Sequence, residues 1–268
     1  MQLPEETCYA FQAEHCSCRN VTTHKLRNVE LASGLSVAEP DNIAVALPNP
    51  WPLAIKRMID VIGSIVGLAL LAPLLLATAI VIKAADGGPV LFRQWRVGKD
   101  GARFRILKFR TLAADSCDSA GLVLVSSADD PRLTPLGAIL RRYNIDELPQ
   151  LLNILAGEMS LVGPRPHVPD MLVSGLFYEA AVPGYALRLN MRPGLTGWAQ
   201  CNGYRGPVHD LGTASQRVRH DLAYIGNFSL ALDLQILALT FVREFIWRQQ
   251  PTVRSGPYRV DKLPAAMP

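Results

Sequence analysis

The sequence predicts an α+β chain, mainly helical: a re-entrant membrane helix, a small antiparallel β-hairpin and amphipathic interfacial helices on one side of a bilayer. Three observations predict it. Val61 to Ile82 is a run of 22 residues without a charge, and as a helix it reaches roughly 33 Å, enough for a bilayer core. Two short β runs bracket a Gly-bounded turn directly after it. The later segments carry apolar residues at helical spacing with polar residues interleaved. Composition agrees, since 268 residues with 49% hydrophobic, 19% charged and a net charge of +4 exclude a disordered or collagen-like chain and leave enough for a core.

Taken in order, residues 1–50 read as a flexible arm, with three basic and six acidic side chains and no sustained periodicity. No basic stretch runs into an apolar one at the start, so Met1 does not open a secretory signal peptide. Cysteines 8, 16, 18, 117 and 201 lack the paired spacing of a disulfide framework or a tetrahedral zinc site. A reduced, cytoplasm-facing location follows, and His15 with Cys16 and Cys18 carries no metal in this reading.

Residues 51–86 form the membrane-embedded helix. Two features argue against a plain crossing. Pro73 falls mid-helix, removes a backbone hydrogen bond and marks a break in the membrane helix. Lys56 and Arg57 precede the apolar run, while residues 83–110 hold eight Lys or Arg against Asp86 and Asp100, so both flanks belong in the cytoplasm. A helix that dips into one leaflet, bends at Ala72-Pro73 and returns satisfies both; a straight span exports one, and a buried core helix is the third alternative.

Residues 87–250 form the main domain and 251–268 a tail. Gly87-Gly88-Pro89 leads into Val90-Leu91-Phe92, and after Gly98-Lys99-Asp100-Gly101 comes Phe104 to Phe109, a hairpin. Its Arg93, Arg96, Lys99, Arg103, Arg105, Lys108 and Arg110 read either as a strip on anionic lipid head groups or as a cradle for a phosphorylated substrate. Nucleic acid is the weaker reading for a membrane-anchored chain. Further on, Ile139, Leu140 and Tyr143 keep helical spacing, and a second helix is expected to start near Asp146, because Pro149 is tolerated only in a first turn. Asp146 and Glu147 there are an N-cap and a first-turn acid, or an activated carboxylate pair able to share a divalent cation, with Arg141 close upstream. A helix N-terminus would lower the carboxylate pKa. Arg165, held between Pro164 and Pro166, starts from a restricted set of directions that suits a phosphate clamp or a rigid turn. The stretch Arg192 to Gly206 holds four glycines that permit close ligand approach, with Trp198 or Tyr204 to stack on a base, or else is a surface loop braced by its aromatics. Asp221 to Trp247 reads as one amphipathic stretch, interfacial or packed within the domain.

The ordered set Lys56-Arg57 with Asp60, Gly87-Gly88-Pro89-Val90, Lys108-Phe109-Arg110-Thr111, Asp146-Glu147-Leu148-Pro149-Gln150-Leu151, Gly163-Pro164-Arg165-Pro166 and Pro193-Gly194-Leu195-Thr196-Gly197-Trp198-Ala199-Gln200 resembles the bacterial sugar transferase family. These are monotopic polyprenyl-phosphate phosphoglycosyl transferases, and the likeness covers roughly residues 53–250. It implies transfer of a sugar 1-phosphate from a UDP-sugar to undecaprenyl phosphate with release of UMP, at a cytoplasm-facing active site on the bacterial inner membrane. Exopolysaccharide, O-antigen or capsule synthesis is the implied setting. Asp146 matches the family's nucleophile, which forms a covalent phosphosugar intermediate, and Glu147 its partner, associated with Mg²⁺. Arg141 and Arg165 match basic positions near the phosphates, and Lys108 and Arg110 join them as expected phosphate ligands. Gly194, Thr196, Gly197, Trp198 and Gln200 are the expected nucleotide and sugar loop.

Chemistry explains such an arrangement, because two polyanions must approach one another and charge builds on the non-bridging oxygens in the displacement. One departure is Ala72, where many members carry Ser before the proline; the kink then rests on Pro73, or on Ser64 or Thr78 bonding back to the helix. Larger members also have a multi-span region, and this chain looks like the compact catalytic form with an extra arm. The alternatives to the phosphoglycosyl transferase are a membrane scaffold in polysaccharide assembly and an ordinary glycosyl transferase that releases UDP. Membrane lipids are expected partners, nucleic acid is not, and a homodimer is left open together with the identity of the sugar.

Overall fold

The described residues begin with a long helix. The computed structural model describes residues 50–113, 130–206, 208 and 210–243. The amino-terminal arm, the tail and Trp247 lie outside the described residues. Helix α1 spans Pro50–Asp86, and its buried positions Lys56, Asp60 and Ser64, then Thr78 and Ile82, follow one another at steps of four within each end of one face. The opposite face is apolar and uncovered, with Met58, Ile62, Ile65, Leu70, Leu76 and Ile80 all more than half exposed.

Both ends of α1 are tied to the same domain. At the start, Lys56 Nζ meets Asp233 at 2.6 Å, Arg57 donates to the carbonyls of Ile154 and Leu155, and Asp60 accepts from the Ser160 hydroxyl and the Leu161 amide. At the far end Ile82 packs with Phe109 and Leu140, and Asp86 is gripped by Arg110. The helix continues through Pro73, so the proline does not end it as expected; its missing amide forgoes one internal hydrogen bond and makes this the position where the axis can bend. Ser64 Oγ is buried without a partner, and Thr78 has no side-chain hydrogen bond among the described residues; neither bonds back as expected.

The hairpin forms where the sequence placed it. Strands β1 (Leu91–Val97) and β2 (Arg103–Phe109) pair antiparallel with Leu91 opposite Phe109 and Val97 opposite Arg103. Alternation buries Gln94, Phe104 and Ile106 and exposes Arg93, Trp95, Arg103 and Arg105. Helix α2 (Pro135–Arg142) is capped by Thr134, whose hydroxyl accepts from the Gly137 amide at 2.9 Å, with Pro135 in its first turn.

The second helix does not start at Asp146. A single 3-10 turn holds Ile145–Glu147, and α3 runs Gln150–Ala156 with Pro149 as its N-cap. Pro149 therefore precedes the helix instead of sitting inside its first turn. Asn153 in α3 pins the hairpin, accepting from the Leu107 amide and donating to the Arg105 carbonyl.

Strand β3 (Ser160–Val162) leads on to the β4 and β5 pair (Leu172–Val173, Leu176–Phe177), the short α4 (Tyr178–Ala181) and a 3-10 segment, Tyr185–Asn190. Strand β6 (Gly194–Thr196) returns parallel to β3, a pairing the sequence did not announce. Helices α5 (Trp198–Cys201), α6 (Leu211–Gly226) and α7 (Leu230–Phe241) complete the domain. The stretch read as one amphipathic segment from Asp221 is thus two helices, since Ser229 caps α7 by accepting from the Leu232 amide.

Candidate active site

The hairpin, the 3-10 turn and the segment after β3 converge on two adjacent carboxylates. Asn144 turns the chain into the pair from a left-handed conformation, φ 53°, which Asn adopts more readily than other side chains do. Next to the residues pinned by Asn153, Lys108 reaches Glu147 Oε1 at 2.7 Å. Arg165 comes from the other side and grips both oxygens of Glu147, at 2.5 and 3.3 Å. The fork that suits a phosphate is spent here on a carboxylate.

The two acids are therefore set apart by their surroundings. Two cations hold Glu147 well below the usual carboxylate range, outweighing its burial. Asp146 is buried, and no residue among those described hydrogen-bonds its carboxylate. Burial pushes its pKa up to about 6; Lys108 pulls it back most, Glu147 adds to the rise, and Arg141 and Arg165 oppose it. This corrects the expectation that a helix N-terminus lowers it, because no helix begins there and desolvation dominates. Asp146 keeps its lone pairs free within a shell of cations.

The other expected residues divide. Arg141 belongs to the cluster, donating to Thr111 Oγ1 at 3.0 Å and feeling the charge of Asp146. Arg110 makes its contacts elsewhere: Asp86 and the carbonyls of Pro89 and Leu112 take its guanidinium, so it fastens α1 to the hairpin. Arg96, one of the basic residues read as a lipid-facing strip or a phosphate cradle, stands behind Arg165; burial and the charge of Arg165 lower its pKa to about 10.

The expected nucleotide and sugar loop is built inward. A Cβ at Gly194 would stand 2.1 Å from the Gly163 nitrogen, and one at Gly197 would stand 2.2 Å from the Gly163 oxygen. These glycines let β3 and β6 approach one another; they do not open room for a ligand. Thr196 bonds Thr240 at 2.7 Å, Gln200 donates to the Leu195 carbonyl, Trp198 leans on the core, and Tyr204 packs on His220.

Sequence reasoning missed the support beneath Arg165. Arg188, 2% exposed, donates to the Arg165 carbonyl at 2.9 Å, approaches His167 Nδ1 at 3.1 Å and pairs with Asp221 at 2.6 Å. Partners this far apart in the chain leave no local signal.

With this geometry in place, comparison with known proteins is decisive, for residues 51–246 match the sequence model of the bacterial sugar transferases. The chain belongs to the bacterial sugar transferase family. Among relatives of this sugar transferase is the exopolysaccharide production protein PSS of Rhizobium leguminosarum bv. phaseoli, 48% identical over 192 residues, covering 72% of this chain and 96% of the relative. The UDP-glucose:undecaprenyl-phosphate glucose-1-phosphate transferase of Escherichia coli K12 is 40% identical over 192 residues, 72% of this chain and 40% of the relative. The UDP-N-acetylgalactosamine-undecaprenyl-phosphate N-acetylgalactosaminephosphotransferase of Aeromonas hydrophila is 40% identical over 195 residues, 72% of this chain and 44% of the relative. The sugar transferase therefore spans nearly all of the first relative and less than half of the other two.

Proposed function

We propose that this transferase moves a sugar 1-phosphate from a UDP-sugar to undecaprenyl phosphate and releases UMP, with Asp146 as nucleophile. The observation that carries the reading is the division of labour within the acid pair. Glu147 is fixed and ionised by Lys108 and Arg165, whereas Asp146 is desolvated and unbonded, and desolvation leaves an oxygen anion reactive. With a pKa of about 6, roughly nine in ten copies are ionised at pH 7. The relatives' names, for glucose and N-acetylgalactosamine transfer to undecaprenyl phosphate, support the substrate classes.

In the first step an Asp146 oxygen attacks the β-phosphorus. The bond from that phosphorus to the bridging oxygen breaks, and UMP leaves with the electron pair. In the second step an oxygen of undecaprenyl phosphate attacks the same phosphorus and displaces the Asp146 carboxylate. Lys108, Arg141 and Arg165 offset charge on the non-bridging oxygens. Two adjacent carboxylates, one with free lone pairs, suit Mg²⁺, which takes one or two carboxylates together with substrate phosphates. Among the described residues no group of three or more candidate ligands forms a cage, so Asp146 and Glu147 would hold the ion jointly with the diphosphate. Its chemistry there is charge neutralisation on the phosphates.

The site belongs at a membrane surface. A crossing helix separates its ends by about 30 Å of hydrocarbon, yet Lys56 and Asp86 at the two ends of α1 bind one domain. We read α1 as re-entrant, entering and leaving on the cytoplasmic side of the inner membrane with its apolar face in lipid, as a step in exopolysaccharide or related polymer synthesis.

Purified protein in detergent, given Mg²⁺, undecaprenyl phosphate and UDP-sugars, tests the reading by product identity. UMP is expected from the wild type and none from Asp146→Asn. UDP as the nucleotide product would overturn the reading in favour of ordinary glycosyl transfer.

A further inference from the structure

Two residues beyond Arg165 the chain floors a second feature, a cavity of about 120 Å³. His167, Tyr178 and Tyr185 are buried and form its base, while Arg103, Asp170 and Glu179 are open to solvent and stand at its mouth. A single ordered water needs only about 10–15 Å³ of such space, so the cavity has room for a ring.

The hydrogen-bond pattern of its base is fixed by one residue that can only donate. Arg188 approaches His167 Nδ1 at 3.1 Å, so Nδ1 must be an acceptor and the imidazole is the neutral Nε2–H form. Burial and the neighbouring Arg188 hold His167 well below its ordinary pKa, in keeping with that tautomer. Nε2 meets the Tyr185 hydroxyl and donates to it. The Tyr185 proton is then left over. No described residue accepts it, burial keeps the phenol protonated, and Tyr185 is one of the residues that line the cavity.

The walls select what can enter. Pro169, Met171, Leu189 and Tyr178 give the lining an apolar share; the exposed Glu179, Asp170 and Arg103 add two carboxylates and a guanidinium, with Arg103 3.6 Å from Asp170. Carboxylates repel a diphosphate but accept from hydroxyls, and a mixture of donors and acceptors around an apolar wall is the complement of a polyol ring. The same Arg188 that sets the tautomer also holds the Arg165 carbonyl, so this cavity and the phosphate cluster share one buried support.

We propose that this cavity receives the sugar ring of the nucleotide sugar, with the Tyr185 hydroxyl as donor and Asp170 and Glu179 as acceptors, and that it sets sugar specificity. The proposal rests on the transferase reading above.

The test compares full-length wild type with Tyr185→Phe and with Glu179→Gln, an exposed position that leaves the core intact. Isothermal titration in detergent measures the affinity of each for UDP-glucose, UDP-N-acetylgalactosamine and UMP. Each variant is expected to lose about tenfold in affinity for the UDP-sugar that the wild type prefers, with UMP affinity changed by less than about twofold. An equal loss for UMP would place the nucleoside in the cavity and overturn the proposal; unchanged UDP-sugar affinity in both variants, or a wild type that binds UMP as tightly as every UDP-sugar, would overturn it too. Turnover is not needed, so failure of transfer activity would count against the reaction and not against this subsite.

Discussion

Replacing Lys56 by Met breaks the bond that fastens the start of α1 to the domain. Lys56 Nζ lies 2.6 Å from Asp233 Oδ2, and the two side chains are only 7% and 10% exposed. After the change Asp233 keeps a single donor, the Tyr224 hydroxyl at 2.6 Å. Removing one partner of a buried pair costs about 3–5 kcal/mol, and for a domain of this size each kcal/mol moves the melting temperature by about 2–4 °C. The expected fall is roughly 10 °C, read by thermal unfolding in detergent at a fixed scan rate. Pairing Lys56→Met with Asp233→Leu removes the stranded carboxylate and should restore most of the loss. The deficit should also depend on pH. Burial already raises the Asp233 pKa and Lys56 lowers it, so without Lys56 the folded value rises further above the unfolded one. The protonated carboxyl then fits the folded state, and the deficit shrinks as pH falls through that folded value. A single variant as stable as wild type, or a double variant no better than the single, would refute the reasoning.

Three further outcomes follow from the same geometry. The acidic limb of kcat/KM should have its midpoint near pH 6, where Asp146 protonates, and Lys108→Gln should move that limb to higher pH in the activity that remains, because Lys108 is the strongest influence holding the Asp146 pKa down; a limb unmoved by the change would contradict this. Gly194→Ala places a Cβ 2.1 Å from the Gly163 nitrogen, backbone that cannot swing aside, so a loss of about 3 kcal/mol, the upper end for overpacking, is expected and a wild-type melting temperature would exclude the close-approach argument. Leu70→Asp puts a charge on the uncovered face of α1, where Leu70 is 76% exposed; at about 3 kcal/mol for a charge in hydrocarbon, vesicle flotation should drop roughly a hundredfold, and unchanged flotation would mean that this face does not enter lipid.

Much of the scaffold is legible in the sequence for simple reasons. A charge-free run of 22 residues has few alternatives to a long apolar helix, and β1 and β2 announce themselves as two short β runs around the turn bounded by Gly98 and Gly101. Asp146 and Glu147 stand out because two acids beside a proline lie between basic residues. What stays hidden depends on partners remote in the chain. The direction of the Asp146 pKa follows from burial where its turn packs on β2 and α2, which no local pattern reports. Arg165 faces a carboxylate because the 3-10 turn brings Glu147 to it. Gly194 and Gly197 look like ligand-binding glycines until β3 is seen against them, and Asn227-Phe228-Ser229 divides α6 from α7 by a capping signal that the apolar periodicity overshadowed. The Arg188 support for Arg165 joins residues from three separate elements and has no signature in any of them.

The central claim is that Asp146 becomes covalently bonded to phosphorus. Intact-mass spectrometry of the purified protein, mixed with a UDP-sugar and Mg²⁺ and no lipid acceptor, tests it most directly. The account expects one added sugar phosphate, localised to the peptide containing Asp146, accompanied by one equivalent of UMP and absent from Asp146→Asn. Turnover with undecaprenyl phosphate but no adduct at any time, together with no UMP before lipid is added, would contradict it and require direct attack by the lipid phosphate.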